Sequence, residues 1–174
     1  MKNLISVIFI VFAFVSCKNN AETKSKKEAK NDTAEIKIQS YNYSELEPFL
    51  SKSDEKTYVV NFWATWCAPC IKELPAFEKL RSNYKNKNVE VLLVSLDFST
   101  QIESNLLPFI KKRKLKSKVV VLDDPNQDEW IPKISEKWSG AIPATLIYNA
   151  KKREFYEQSF HYNELETEVL KFLN

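Results

Sequence analysis

The stretch Val59-Val60-Asn61-Phe62-Trp63-Ala64-Thr65-Trp66-Cys67-Ala68-Pro69-Cys70, continued by Ile71-Lys72-Glu73-Leu74-Pro75, decides the fold. From Thr57 to Ala64 it is apolar with little alternation, the pattern of a central strand covered on both faces. From Cys67 to about Tyr84 it is helical: Ile71, Leu74, Phe77 and Leu80 recur at three-residue steps. Pro75 lies inside that run and is expected to kink it. Cys67 and Cys70 sit where the strand hands over to the helix, at the carboxyl end of a strand, where open α/β sheets place their sites. Residues three apart on a helix lie about 5–6 Å from each other, and a disulfide needs Cα atoms at roughly 4.4–6.8 Å. The peptide dipoles at a helix start favour negative charge and lower a thiol's pKa. The motif therefore offers a closable ring and a thiolate.

Outward from this stretch, strands alternate with helices. Glu35 to Ser40 alternates as an edge strand does, and Ser44 to Ser51 reads as a short helix with Ser44 as N-cap. Val89 to Leu96 is a second buried strand. Ser99 to about Lys114 is a helix bent at Pro108, and Lys118 to Leu122 a further strand. Trp130, Ile131, Ile134 and Trp138 form a helical stripe within Gln127 to Trp138, read as core. Ala144 to Tyr148 is a strand, Asn149 to Lys152 a turn, and Arg153 to Phe160 the antiparallel edge. A last helix, Tyr162 to Leu173, packs Leu165, Val169 and Phe172. This order predicts an α/β fold: a central mixed β-sheet flanked by helices on both faces. No internal repeat is present.

Composition excludes several functions. The chain has 174 residues, 44% hydrophobic and 28% charged, enough for one domain with a real core. A net charge of +3 gives no case for nucleic-acid binding. The basic cluster at Lys111, Lys112, Arg113 and Lys114, with Lys116 and Lys118, reads as a solvated helix end and loop, contact with an anionic membrane surface being the alternative. With a single glycine, Gly140, neither a GxGxxG nor a Walker phosphate loop is possible. With a single histidine, His161, a histidine-based metal site is not expected, and a CxxC zinc site would lack two of its normal four ligands.

The first residues read as a targeting signal. Lys2 precedes an apolar run from Leu4 to Val15, too short for the ~20 residues that span a bilayer. The run ends at Phe14-Val15-Ser16-Cys17, which resembles a bacterial lipoprotein signal in which Cys17 is lipidated, although Phe14 stands where leucine is usual. Ordinary cleavage and an uncleaved anchor are the alternatives; each places the domain outside the cytoplasm, where disulfide chemistry operates. Residues 1–16 are thus assigned as signal peptide, 17–34 as a polar, disordered tether without aromatic residues, and 35–174 as the folded domain.

The stretch quoted above, together with Gly140-Ala141-Ile142-Pro143-Ala144-Thr145, resembles the active site and the cis-proline loop of the thioredoxin superfamily. Within it the chain is most similar to the membrane-tethered TlpA/ResA-like thiol–disulfide oxidoreductases, over about Glu35 to Asn174. The resemblance implies a thioredoxin-like fold, with Cys67 the exposed nucleophile and Cys70 the buried resolving thiol of a Cys67–Cys70 disulfide. It implies that Pro143 is cis and faces the disulfide, with the backbone at Ile142 binding an extended substrate strand. Trp66, Ala68 and Pro69 then border the client, Trp66 covering one side of the dithiol. Gly140 either permits the turn into this loop or caps a helix.

Asn61 departs from classical thioredoxins, which place an aspartate there; it cannot take a proton. Glu73, three residues after Cys70, matches an acidic position of the tethered reductases. It either accepts the proton of Cys70 or is an exposed glutamate favouring the helix N-terminal half. The implied activity is reduction of protein disulfides in the cell envelope, with apocytochrome c among the candidate clients. Electrons would come from a transmembrane thiol carrier. No bound cofactor is required, and a monomer held to the membrane by a lipid at Cys17 is expected. An oxidase or isomerase on the same fold, a thiol peroxidase, and a binding module with a structural disulfide are the competing readings.

Overall fold

The computed structural model describes residues 37–173. The signal, Cys17 and the tether lie outside the described residues. Six strands form one sheet in the order β1-β4-β3-β2-β5-β6: β1 Gln39–Tyr41, β2 Thr57–Trp63, β3 Val89–Ser95, β4 Lys118–Leu122, β5 Ala144–Tyr148 and β6 Arg153–Tyr156. The first four in spatial order run parallel, while β5 pairs antiparallel with β2 and β6 antiparallel with β5. This is the mixed sheet expected from the alternation of strand and helix.

All seven residues of β2 are buried, because helices cover both faces. Side chains alternate across the sheet. Tyr58, Val60 and Phe62 enter the core shared with α1 (Tyr43–Leu46) and α4 (Gln127–Ile134), where Leu46, Trp130 and Ile134 pack. Val59 and Trp63 enter the opposite core with α2 (Ala68–Tyr84), α3 (Leu107–Arg113) and α5 (Tyr162–Leu170), through Leu74, Phe77, Leu80, Ile110 and Leu165. Asn61 stands between Val59 and Trp63 and so faces α2, a placement that decides the chemistry below.

Several boundaries differ from the sequence expectation. The first helix is capped by Asn42, not Ser44: the Asn42 side chain accepts from the Glu45 N–H at 3.0 Å, and the Asn42 N–H donates to the Glu45 carboxylate at 3.0 Å. The reciprocal pair satisfies two end groups at once. The helix then tightens into a 3-10 turn at Glu47–Phe49, which opens on Pro48. Asn42→Ala is expected to lower the unfolding free energy by about 1 kcal/mol in a urea titration.

Pro75 lies within one continuous helical run, Ala68–Tyr84. The bend expected at Pro108 is resolved as a succession of turns: 3-10 at Ser99–Gln101, π at Ile102–Leu106, then α3 with Pro108 in its first turn. A proline lacks the N–H that an unbroken helix would use, and a first turn leaves that donor free anyway. α4 stops at Ile134, where Ser135 turns extended, so Trp138 is core without being helical. The last strand ends at Tyr156 and the last helix at Leu170. Lys111, Lys112, Arg113 and Lys114 are all exposed, as read.

Candidate active site

Ala64, Thr65 and Trp66 connect β2 to α2, and Cys67 is the N-cap of that helix with extended backbone (φ −91°, ψ 100°). Its sulfur accepts the Cys70 N–H at 3.3 Å. A cap residue uses its side chain to satisfy one of the amides left open at the helix start; here the capping atom is the Cys67 sulfur. Cys67 and Cys70 are joined as a disulfide with Cα atoms 5.3 Å apart. Cys67 retains 6% exposure and Cys70 none. The pairing is the one the resemblance implies; both residues are buried, Cys67 slightly less completely than Cys70. Ala68 and Pro69 between them are exposed, and Trp66 is 62% exposed, so it stands outward beside the pair.

The second wall comes from the loop before β5. The Ile142–Pro143 peptide is cis, as the resemblance implied, and the Ile142 carbonyl oxygen lies 3.8 Å from the Cys67 sulfur. The loop is fastened on both sides. The Trp138 indole N–H donates to the Ala141 carbonyl at 2.8 Å, and the Ser139 N–H donates to the Glu157 carboxylate at 2.8 Å. Gly140 has φ +91°, and a Cβ there would sit 3.1 Å from Ile131 Cδ1. Six residues beyond the end of α4, it serves the turn into this loop rather than a helix cap.

Glu73 is buried, 3% exposed, which rules out the exposed-glutamate reading. One carboxylate oxygen accepts from the Asn61 amide (Nδ2 to Oε1, 2.8 Å) and the other from the Phe160 backbone N–H (2.8 Å). Loss of hydration pushes its pKa up to about 7, against the two donors, which favour the charged form. It lies one turn beyond Cys70 on α2.

Sequence reasoning missed a second buried carboxylate. Asp97, 1% exposed, accepts from the Thr65 N–H at 3.0 Å, the Thr65 hydroxyl at 2.5 Å and the Ser95 hydroxyl at 2.6 Å. It clamps the segment just before Trp66-Cys67 to the end of β3. Ser95 and Asp97, two polar residues closing an apolar strand, were the available signal. Among the described residues no group of three or more His, Cys, Asp and Glu side chains comes together to hold a metal ion.

A parallel-and-antiparallel sheet, a disulfide at the start of the helix after its central strand, and a cis-proline loop against its outer sulfur define a thioredoxin-like redox protein. Within that class the chain belongs to the AhpC/TSA family, whose model matches residues 22–153. It is 39% identical over 97 residues to a protein named thiol-disulfide oxidoreductase ResA from Oceanobacillus iheyensis, covering 54% of this chain and 49% of that one. It is 35% identical over 93 residues to the sporulation thiol-disulfide oxidoreductase A of Bacillus subtilis, covering 53% of each. The chain thus spans about half the length of these curated relatives. Among solved structures, a thioredoxin-related protein from Neisseria meningitidis serogroup B superposes with a TM-score of 0.58 at 26% identity, over 70% of this chain and 87% of that one.

Proposed function

We propose that this protein is a thiol–disulfide oxidoreductase that reduces protein disulfides outside the cytoplasm. The observation behind this reading is the Cys67–Cys70 pair itself: a bonded pair of sulfurs at a helix start, the first in a residue that keeps 6% exposure and the second in one that keeps none. The Cys67 thiolate attacks a client disulfide, forming a Cys67–client bond and releasing one client thiolate. Cys70 then attacks the Cys67 sulfur, the Cys67–Cys70 bond forms, and the second client thiolate leaves. Two electrons pass to the client, and a membrane thiol carrier restores the dithiol.

Each remaining site residue has a part in this reading. Glu73 takes the proton of Cys70, making it the thiolate that attack requires. The exposed surfaces of Trp66, Ala68 and Pro69 border the client, and the backbone at Ile142-Pro143 receives its extended chain. A lipid on Cys17 holds the domain, as a monomer, at the envelope membrane on a leash of about 17 residues with roughly 20–25 Å of reach. Apocytochrome c is a candidate client. Relatives named thiol-disulfide oxidoreductases support the chemistry.

Redox titration of the protein, with an insulin-type reduction assay, tests the proposal. A potential near that of thioredoxin, about −270 mV, and reduction of insulin that Cys67→Ser abolishes are expected. A potential near −120 mV, as in strong oxidants, would reverse the direction to oxidase. A bridge that resists thioredoxin-strength reductants would make it structural.

A further inference from the structure

Asn61 contains an unusual imbalance. Its Nδ2 lies near three acceptors: Glu73 Oε1 at 2.8 Å, the Thr145 hydroxyl at 3.2 Å and the Ala144 carbonyl at 3.4 Å. Its Oδ1 is buried and has no partner among the described residues. The residue is wholly buried, and buried polar atoms are nearly always paired. An orphan of this kind in the middle of the central strand asks for an explanation.

We propose that the Asn61 amide is a two-position partner of Glu73, donating through Nδ2 when the glutamate is charged and turning over to accept through Oδ1 when it is protonated. This rests on the reading of Glu73 as proton acceptor. The geometry limits the alternatives. Glu73 Oε2 faces the Phe160 backbone N–H, a fixed donor that cannot become an acceptor. An incoming proton is therefore accommodated on Oε1, the oxygen facing Asn61. There an O–H meets an N–H unless the amide rotates. Rotation brings Oδ1 to Oε1 and to the Thr145 hydroxyl, which can donate instead of accept, while the weakest of the three contacts, that with the Ala144 carbonyl, is given up. Nδ2 then takes the place where Oδ1 had no partner.

Each orientation thus leaves one amide atom unpaired and fills the other. Neither protonation state of Glu73 is locked out, which is what a group that must both take and release a proton needs. An aspartate at position 61 would add a second acid, and an apolar residue would leave Oε1 bare. Among the described residues, the groups bonded to this cluster do not titrate: Asn61 from β2, Thr145 from β5 and the Phe160 amide before α5. Cys70 lies one turn earlier on α2. Desolvation raises the proton affinity of Glu73, and only the Phe160 and Asn61 donors oppose it. Asn61 is a positioning residue: it acts through Glu73 and touches no client.

Two measurements on the full-length chain decide the matter, both by NMR. With carboxyl-labelled glutamate, the Glu73 resonance is identified by its disappearance in Glu73→Gln, and its midpoint is followed with pH. Asn61→Leu removes the donor to the charged form, so the midpoint is expected to rise by about one pH unit, a tenfold gain in proton affinity. In the unmutated chain, the Asn61 side-chain amide resonances are expected to shift with the Glu73 midpoint and to lose that response in Glu73→Gln. The second measurement stands even if Asn61→Leu fails to fold. An unchanged midpoint in Asn61→Leu, or an Asn61 amide indifferent to the Glu73 titration, would overturn the proposal. Neither readout needs exchange activity, so a chain that reduces no client would sink the proposed function while leaving this test intact.

Discussion

Cys70→Ser is expected to stop the exchange halfway and leave client polypeptides covalently bound to Cys67. The first step does not need Cys70. Cys67 is the member of the pair that keeps some exposure, and the amides at the start of α2, the residue 70 N–H among them, favour an anion at its sulfur. Attack on a client disulfide therefore proceeds. Release does need Cys70, because only a second sulfur 5.3 Å away at Cα can displace the client by forming the internal bond. A serine hydroxyl at neutral pH holds its proton and forms no stable bond to sulfur, so the adduct persists. Adducts should appear as higher-mass bands on non-reducing gels of envelope extracts, collapse to the parent band with dithiothreitol, and be absent from Cys67→Ser/Cys70→Ser. Their identification by mass spectrometry would name the clients. Recovery of no adduct by Cys70→Ser in a chain that folds would count against Cys67 as the attacking sulfur.

The redox pair was legible because two strong signals meet there. An apolar run without alternation means a strand buried twice over, and three-residue apolar steps mean a helix; their junction is where Cys67 and Cys70 fall. The same absence of alternation hid Asn61. With both faces of β2 buried, nothing local says which face a given residue takes, so the approach of Asn61 to Glu73 emerges only once α2 is docked. The first helix boundary shows a different limit. Asn42 and Ser44 are both competent caps. What selects Asn42 is remote: the Tyr43 N–H is taken by the Asp124 carboxylate at 3.0 Å, a partner 81 residues away. The aromatic stripe misled in length for a related reason. Trp138 continues the spacing of Trp130 and Ile134, yet it reaches the same core from a loop, held by its bond to Ala141 and by contact with Phe62 at 4.8 Å between rings. The hairpin turn needed no glycine. The Asn149 side chain accepts from the N–H groups of Lys151 and Lys152, each at 2.9 Å, as turn asparagines do.

Glu73 makes stability depend on pH in a window where few carboxyl groups titrate. Its pKa is about 4.5 when unfolded and about 7 in the fold. The folded value is raised, so between these limits the native state holds more protons than the unfolded chain. Stability then falls as pH rises through the window. Below about pH 4.5 the group is neutral in both states and costs nothing extra; above about pH 7 the buried charge imposes its full penalty, about 3 kcal/mol from the difference between the two values. Glu73→Gln keeps the shape and removes the ionisation. In urea titrations from pH 5 to 8, the difference in unfolding free energy between Glu73→Gln and the parent should move steadily in favour of the variant, by up to about 3 kcal/mol. Every other titrating group is common to both chains, so the difference isolates this carboxyl. Exchange should respond in the opposite sense: the parent gains rate as Glu73 becomes able to accept a proton, whereas Glu73→Gln stays slow across the range. A difference curve that is flat from pH 5 to 8 would show that Glu73 does not change charge there, and the proton of Cys70 would need another destination.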